Sequence, residues 1–257
     1  MERDTKVIAV SGKGGVGKTS LSAAIVRLLT EQYPDKRILA IDADPAIGLA
    51  TALGIEVEET LDDIRKRVAN DVTEKLRDTQ DVLAEAKFRL IDAMKERNGF
   101  AFIAIGRPEA AGCYCAVNTY LREVISMLIG DFDYVVIDGE AGIEQINRRV
   151  MEKVTHLLLI SDQSKKGIGV LEVIREVADE LVMYDFVGAV INRATKLELA
   201  PKEVAGAPVL AVIEPDEQQT SNDIVGESVF ALDKDSALLK GAKLALSRME
   251  IIPNGTL

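Results

Sequence analysis

One short segment near the start of the chain holds four glycines, two lysines and a threonine. Residues 12–20 read GKGGVGKTS and match the phosphate-loop spacing G-x-x-x-x-G-K-T. Glycines let backbone N–H groups converge on phosphate oxygens, and a helix that begins at the loop adds partial positive charge. The spacing predicts a bound nucleoside triphosphate, held by Gly12, Lys13, Gly14, Gly15, Val16, Gly17, Lys18, Thr19 and Ser20.

The end of this loop carries two side chains suited to act on the nucleotide. Lys18 is expected to reach the β- and γ-phosphates as a catalytic charge, and the Thr19 hydroxyl is expected to ligate Mg²⁺. A glycine-rich turn without a ligand is the alternative. However, the apolar run Val7–Val10 precedes the loop, and the helix-permissive run Leu21–Leu29 follows it. A strand, this loop and a helix together favour a phosphate site.

Aspartates follow two later apolar runs. Asp42 and Asp44 come after Ile38–Ile41, and Asp138 ends the run from residue 134. Ligands of open α/β sheets bind at the carboxyl ends of the strands, so these carboxylates are expected beside the phosphates. An aspartate that ends such a strand suits Mg²⁺ held through water, the role predicted for Asp138. Asp44 precedes a proline and is also a good helix N-cap, which is its alternative role.

The two cysteines of the chain are separated by one residue. Cys113 and Cys115 lie in a loop with glycine and proline that follows the apolar run Phe100–Ile105. In an extended segment their side chains point the same way, so both thiolates could bind one metal ion. A closed site needs about four ligands, and thiolates suit zinc, copper(I), iron–sulfur clusters or nickel. Two buried structural cysteines are the alternative.

Apolar runs alternate with helical stretches along the whole chain, which predicts a doubly wound, mostly parallel α/β sheet of the P-loop type in one domain over residues 1–257. Residues 57–98 are densely charged and predict an inserted helical segment over the sheet edge. The near-continuous apolar character of the runs is typical of fully buried strands. The predicted strands are Val7–Val10, Ile38–Ile41, Phe100–Ile105, Tyr134–Ile137, Leu157–Ile160, Val187–Ile191 and Val209–Ile213.

The net charge and the lengths of the apolar runs argue against two classes of partner, nucleic acids and membranes. The formal net charge is −11, which disfavours a nucleic-acid surface because many phosphate contacts need a basic face. No apolar run approaches the roughly 18–20 residues of a spanning helix, and residues 1–6 do not resemble a secretion leader. We therefore expect a cytoplasmic protein with reduced cysteines that binds neither nucleic acid nor membrane.

The early lysine of the loop points to a particular family. The run K-G-G-V-G-K-T resembles the deviant Walker A motif of the SIMIBI class, which includes the MinD and ParA ATPases and the nitrogenase iron protein. The resemblance implies a homodimer in which Lys13 reaches the partner's nucleotide and neutralises charge as the γ-phosphate departs. It also implies that Asp42 supports the Mg²⁺ shell and that Asp44 orients the attacking water.

Two further segments resemble this family. Residues 138–144 read DGEAGIE, like the switch II of MinD-like proteins, and the loop containing Pro215 resembles the one that lies along the base. Asn192 and Arg193 are expected at the same adenine end, although Asn192 could be a plain turn residue. The guanine-specifying N-K-x-D is absent, since Arg-Ala-Thr follows Asn192, so we expect ATP rather than GTP.

The loop around the cysteines narrows the resemblance. Residues 106–118 read GRPEAAGCYCAVN and resemble the accessory ATPases of carbon monoxide dehydrogenase, the CooC family, and their relatives that mature acetyl-CoA synthase. The resemblance implies an ATP-dependent nickel metallochaperone for one of these two nickel enzymes. Cys113 and Cys115 of both subunits would share one Ni²⁺, or Zn²⁺, across the homodimer.

Two rival functions remain open. An ATP-driven iron–sulfur reductase like the nitrogenase iron protein has its cysteines far apart in sequence, unlike this pair. A MinD- or ParA-like positioning ATPase is the other rival, and it would need a membrane-targeting tail or a basic DNA-binding face. The segment Ala237–Met249 lacks bulky aromatic residues and suits core packing better than membrane binding.

Overall fold

The computed structural model describes residues 5–73, 88–106, 125–139 and 153–254, with the backbone alone for 68–73. Its strands are β1 (Lys6–Gly12), β2 (Ile38–Asp42), β3 (Lys95–Arg97), β4 (Phe100–Ala104), β5 (Tyr134–Asp138), β6 (Lys153–Ser161), β7 (Met183–Ile191), β8 (Glu203–Val204) and β9 (Ala207–Val212). Its helices are α1 (Lys18–Gln32), α2 (Gly48–Leu53), α3 (Leu61–Thr73), α4 (Lys165–Leu181), α5 (Glu217–Val225) and α6 (Ala237–Arg248). Residues 88–93 and 125–129 are also helical, and Leu197–Leu199 and Val229–Ala231 form short 3₁₀ turns.

These strands form one sheet in the order β3-β4-β2-β5-β1-β6-β7-β9-β8. The seven inner strands are parallel to one another, namely β4, β2, β5, β1, β6, β7 and β9. The edge strands β3 and β8 pair antiparallel with their neighbours. All seven predicted strands belong to the parallel part, which confirms the predicted fold class. Near-continuous apolar runs formed these strands because helices cover both of their faces.

Alternate residues of each strand face two different helical layers. Ile8 and Val10 of β1 pack in the layer that contains α1, α2 and α6. Val7 and Ala9 face the opposite layer, which contains α4 and the start of α3. In a parallel sheet, covering both faces in this way leaves the carboxyl ends of the strands open for ligands.

The two edge strands were not predicted from the sequence. Lys95–Arg97 forms β3 and lies within residues 57–98, so the prediction of a helical segment is wrong at this point. Asn98 and Gly99, with φ of 51° and 83°, form the tight hairpin turn that returns the chain into β4. The same segment is helical over Leu61–Thr73 and residues 88–93. Across the four described ranges, no helix has the length and apolar character needed to cross a bilayer.

Candidate functional site

The glycine-rich loop leaves the carboxyl end of β1 and curves around open space. Gly15 and Gly17 have left-handed backbone conformations, with φ of 77° and 96°, which favour glycine. A Cβ atom added at Gly14 or Gly15 would meet nothing within 4 Å. A Cβ atom at Gly12 would instead lie 2.0 Å from the carbonyl oxygen of Ile160 in β6. The first glycine therefore permits close strand packing, while the later ones shape the loop.

The loop encloses a cavity of about 340 Å³. Lys18, the first residue of α1, is only 7% exposed, and its Nζ donates to the carbonyl oxygen of Lys13 at 3.2 Å. A lysine held at the mouth of a helix N-terminus supplies positive charge where an anion would bind. The cavity is lined by Gly14, Gly15, Gly17, Lys18, Thr19, Asp44 and Arg193.

Two buried carboxylates lie next to each other beside this cavity. Asp42 and Asp138 are paired in the register of β2 and β5. Thr19 Oγ1 and Ser22 Oγ donate to the two carboxylate oxygens of Asp138, at 2.7 and 2.9 Å. Both hydroxyls lie on α1, so the first turn of this helix binds the strand that carries the aspartate.

Burial makes the ionised form of both aspartates unfavourable. Burial and the nearby charge of Asp138 raise the pKa of Asp42 to about 7, although backbone N–H donors oppose this. Burial raises the pKa of Asp138 to about 6, against the hydrogen bonds of Thr19 and Ser22. A divalent cation beside them would relieve both costs, and carboxylate and hydroxyl oxygens suit Mg²⁺. The donor set therefore fits a magnesium ion.

Asp44 does not cap a helix in the structure. The residue before α2 is Ile47, and no side chain caps that helix. Asp44 instead accepts a hydrogen bond from the Ala46 N–H at 2.9 Å, within its own turn, while its own N–H donates to Asp42. This turn places Asp44 among the residues that line the loop cavity.

Lys13 is paired within its own chain. Its Nζ lies 3.1 Å from Asp162 Oδ2, and each side chain is about one third exposed. Asp162 directly follows β6, and its other carboxylate oxygen accepts from the Ser164 N–H at the start of α4. Hydrogen bonds from Ser164, together with Lys13, lower the pKa of Asp162. Nothing in the sequence near Asp162 identified it as the partner of Lys13.

Asn192 and Arg193 reach the loop from the end of β7. Asn192 is buried, and its Nδ2 donates to the carbonyl oxygen of Val16 at 2.8 Å. Arg193 Nη1 donates to the carbonyl oxygen of Gly15 at 3.1 Å. Gly17 leaves room for the Asn192 amide, which would lie 2.5 Å from a Cβ at that position. Asn192 is thus more than a turn residue, because it supports the loop directly.

A second, smaller cavity lies beside the first. It encloses about 60 Å³, and Arg193 lines both cavities. Gln219 and Thr220 of α5 lie in it, and neither was identified from the sequence. Asp216, three residues before Gln219, is a helix N-cap signal that predicts where α5 begins, but not what it faces. The lining consists of Ser20, Asn192, Arg193, Pro215, Asp216, Gln219, Thr220 and Leu238.

The predicted nickel or zinc ligands Cys113 and Cys115, and residues 140–144 of the switch II-like segment, lie outside the described residues. Among the residues that are described, no group of three or more histidine, cysteine, aspartate or glutamate side chains could hold a metal ion. The described part of the site therefore consists of the phosphate loop, its aspartates and the neighbouring small cavity.

Comparison with known proteins gives one family. Residues 7–229 match the profile of the CobQ/CobB/MinD/ParA nucleotide binding domain. An uncharacterized ATP-binding protein of Methanocaldococcus jannaschii is 39% identical over 176 residues, which are 68% of this chain and 69% of that protein. The carbon monoxide dehydrogenase accessory protein CooC of Rhodospirillum rubrum is 28% identical over 218 residues, 75% of this chain and 81% of CooC.

Solved structures share the fold. The cell division ATPase MinD of Pyrococcus furiosus superimposes with a TM-score of 0.68 and 23% identity. The match covers 98% of this chain and all of that one. The order of strands around the phosphate loop is therefore an arrangement found in solved members of this fold.

Proposed function

This chain belongs to the CobQ/CobB/MinD/ParA family of nucleotide-binding P-loop ATPases, and from that premise we propose that it is an ATP-dependent nickel metallochaperone. In this proposal the protein hydrolyses ATP as a homodimer and delivers nickel to carbon monoxide dehydrogenase or acetyl-CoA synthase. The observation that carries the ATP-dependent part is the cavity of the phosphate loop, which Lys18 and Thr19 line and where the Thr19 hydroxyl reaches Asp138 of the paired aspartates.

Each residue around the cavity has a distinct task in hydrolysis. The loop N–H groups and Lys18 bind the phosphates, and Lys18 gives up its hydrogen bond to the Lys13 carbonyl to do so. Thr19, Asp42 and Asp138 would hold Mg²⁺, which neutralises charge on the phosphates when bound. Asp44 lies on the cavity wall and orients the attacking water. Preorganised charges of this kind stabilise the transition state because they need no rearrangement during the reaction.

Lys13 acts only after it leaves Asp162. In the described conformation its ammonium group is paired with Asp162 of its own subunit. Exchange of that ion pair for the triphosphate of a second subunit couples hydrolysis to dimerisation. Because the pair is one third exposed, breaking it costs little. Lys13 is therefore well suited to a part of the site that forms only in the dimer.

The metal is cargo in this proposal. Cys113 and Cys115 from two subunits would meet at the dimer axis and provide four thiolates for one Ni²⁺, with Zn²⁺ as a competitor. The support is the C-x-C pair itself, its loop, and the similarity to CooC over three quarters of the chain. Closure of the dimer around ATP would change the spacing of the cysteine pairs and hence the affinity for metal.

Metal titration with mass measurement tests this function. Purified protein is titrated with Ni²⁺ and with Zn²⁺, alone and with ADP or a non-hydrolysable ATP analogue. The mass of the protein in solution is recorded in each state to distinguish monomer from dimer. We expect one metal per dimer, an affinity that differs between nucleotide states, and loss of binding in Cys113→Ser and Cys115→Ser. Thiolate binding should also release protons and tighten as pH rises.

Other outcomes would point to the rival functions. One metal per monomer, or intact binding in Cys113→Ser, would contradict the shared site. A brown protein with iron and sulfide would favour the reductase. ATP hydrolysis without any metal binding would favour a MinD- or ParA-like positioning ATPase.

A further inference from the structure

Gln219 occupies a position that the phosphate loop does not account for. It lies in the first turn of α5, and its backbone N–H donates to the side chain of Asp216 at 3.0 Å. Asp216 also accepts a hydrogen bond from the Leu238 N–H at 3.0 Å, which ties this turn to α6. The start of α5 is thus held firmly beside the small cavity.

The orientation of the Gln219 side-chain amide is determined by its neighbour. Its Nε2 donates to Asp223 Oδ1 at 2.7 Å, one helical turn away, and lies 3.5 Å from Ser20 Oγ. A carboxylate accepts hydrogen bonds but does not donate them, so the NH₂ group must face Asp223. The amide oxygen is therefore held in the opposite position.

That oxygen is an acceptor without a donor. Gln219 Oε1 is buried and has no hydrogen-bond partner among the described residues. Leaving a buried polar atom unpaired costs free energy, and such an atom in a native protein calls for an explanation. A ligand that brings an N–H group to this point would remove the cost.

The cavity beside Gln219 is where a nucleoside would extend from the phosphates. Arg193 lines both cavities, and Ser20 lies two residues beyond Lys18. The small cavity is smaller than a purine base in this structure, so the base enters by displacing a side chain at its rim. Arg193 is exposed, and in this inference its side chain is the one that moves.

We propose that Gln219 reads the base of the nucleotide: its Oε1 accepts a hydrogen bond from the exocyclic amino group of adenine. Asp223 is a positioning residue, since it holds the amide so that the oxygen faces the base. A 6-oxo purine presents an acceptor at that place, which leaves two acceptors facing each other. This inference rests on the proposed binding of ATP and adds the reason for its selectivity.

Calorimetry with diphosphates tests the inference without interference from hydrolysis. The full-length protein is titrated with ADP and with IDP, which differ in the amino and oxo groups at purine position 6. We expect ADP to bind at least about tenfold more tightly, the effect of about one net hydrogen bond. Gln219→Leu keeps a similar volume, and it should weaken ADP binding about tenfold without weakening IDP binding, because leucine presents no acceptor to the 6-oxo group.

Two more variants complete the test. Asp223→Asn lets the Gln219 amide turn over, so the preference for ADP over IDP should fall while the volume of both side chains is kept. Gln218→Leu is the matched control, because Gln218 Oε1 accepts from the Asp233 N–H and does not line the cavity. Its preference for ADP should equal that of the wild type.

The failures can be told apart. Equal ADP and IDP affinity in the wild type, or an unchanged ratio in Gln219→Leu, would overturn the reading of the base by Gln219. If Gln219→Leu does not fold, an unchanged ratio in Asp223→Asn overturns the proposal by itself. A wild-type protein that binds neither diphosphate would overturn the proposed ATP-dependent function as well.

Discussion

The phosphate loop, here called the phosphate end, and the small cavity where we propose that the base binds, here called the base end, are built in opposite ways. The phosphate end is a consecutive run of backbone, from Gly12 to Ser20, which wraps around open space. The base end is assembled from side chains of separate segments, among them Asn192, Pro215 and Gln219. A backbone loop needs only the right local conformation, whereas the base end needs the sheet to be complete.

This difference separates two kinds of sensitivity to mutation. At the phosphate end the backbone shapes the loop, so we expect most side-chain substitutions to leave its conformation intact. Substitution of the charged groups there should mainly change the rate of ATP hydrolysis. At the base end some side chains hold others, as Asp223 holds Gln219 and Ser236 binds Asp216, so a change at one can alter its neighbour. Asn192 shows the link between the ends, because its amide supports the loop carbonyl of Val16.

The largest effect is expected where side chains at the phosphate end act on the transition state. Lys13→Ala and Asp44→Ala should each lower the rate of ATP hydrolysis about 10²- to 10³-fold, since the first removes the proposed positive charge at the γ-phosphate and the second removes the group proposed to orient the attacking water. ADP affinity and the free energy of unfolding should change little. Phosphate release measures the hydrolysis rate, calorimetry the ADP affinity and urea denaturation the free energy of unfolding. Near-normal hydrolysis in both variants would contradict the roles assigned to Lys13 and Asp44.

The next effect tests whether the loop glycines are equivalent. Gly12→Ala should lower the free energy of unfolding by about 3 kcal/mol, because its Cβ would overlap the Ile160 backbone and push β1 from β6. Gly14→Ala is the matched control. Its Cβ meets nothing within 4 Å, so unfolding should change by less than about 0.5 kcal/mol. Urea unfolding of the nucleotide-free proteins measures both, and equal losses would contradict this distinction.

A smaller effect tests the link between the two ends. Asn192→Ala removes the donor to the Val16 carbonyl and should cost about 1–2 kcal/mol of unfolding free energy. It should also weaken the binding of pyrophosphate, a ligand without a base, because the loop loses its support. If pyrophosphate affinity stays at the wild-type value in calorimetry, the ends are independent. Arg193→Ala removes an exposed hydrogen bond to the same loop and should have less effect on stability.

The smallest effect concerns the ion pair that holds Lys13. Asp162→Asn keeps the acceptor for Ser164 but removes the charge, so it should cost at most about 1 kcal/mol of unfolding free energy. Dimerisation should then need about two- to fivefold less ATP, because Lys13 is already released. Sedimentation at increasing ATP concentration measures this shift, and a requirement for more ATP would argue against exchange of the pair.

The pH dependence of that pair has a definite sign. The pKa of Asp162 is lowered from its ordinary 3.8 in the folded protein. Its contribution to stability is therefore present above pH 3.8 and is lost as the pH falls through the lower, folded value. The difference in unfolding free energy between Asp162→Asn and wild type should shrink over that acid range and stay constant at neutral pH.

Much of the fold could be read from the sequence, because it depends on local pattern. Seven apolar runs predicted the seven parallel strands, since a strand covered on both faces must be apolar throughout. Residues 12–20 predicted the loop, since backbone spacing alone shapes it. The antiparallel strands at the edges, Lys95–Arg97 and Glu203–Val204, were missed because short polar strands lack that pattern.

The contacts within the site were decided by the tertiary structure. Asp42 lies beside Asp138 only through the register of β2 and β5. Burial at this point of the sheet raises the pKa of both, and the charge of Asp138 raises that of Asp42 further. The sequence left open whether Asp44 caps a helix. In the structure Asp44 caps no helix and lies on the wall of the loop cavity.

The sequence by itself determined a parallel sheet with a phosphate loop at the end of β1, because strand burial and loop spacing are local properties. Only the tertiary structure decided that Lys13 pairs with Asp162 and that Gln219 faces the base end with an unpaired oxygen. Lys13 and Asp162 are 149 positions apart, and Gln219 is 199 positions from Ser20. Contacts at such separations depend on how the strands are ordered in the sheet, and no local pattern encodes that order.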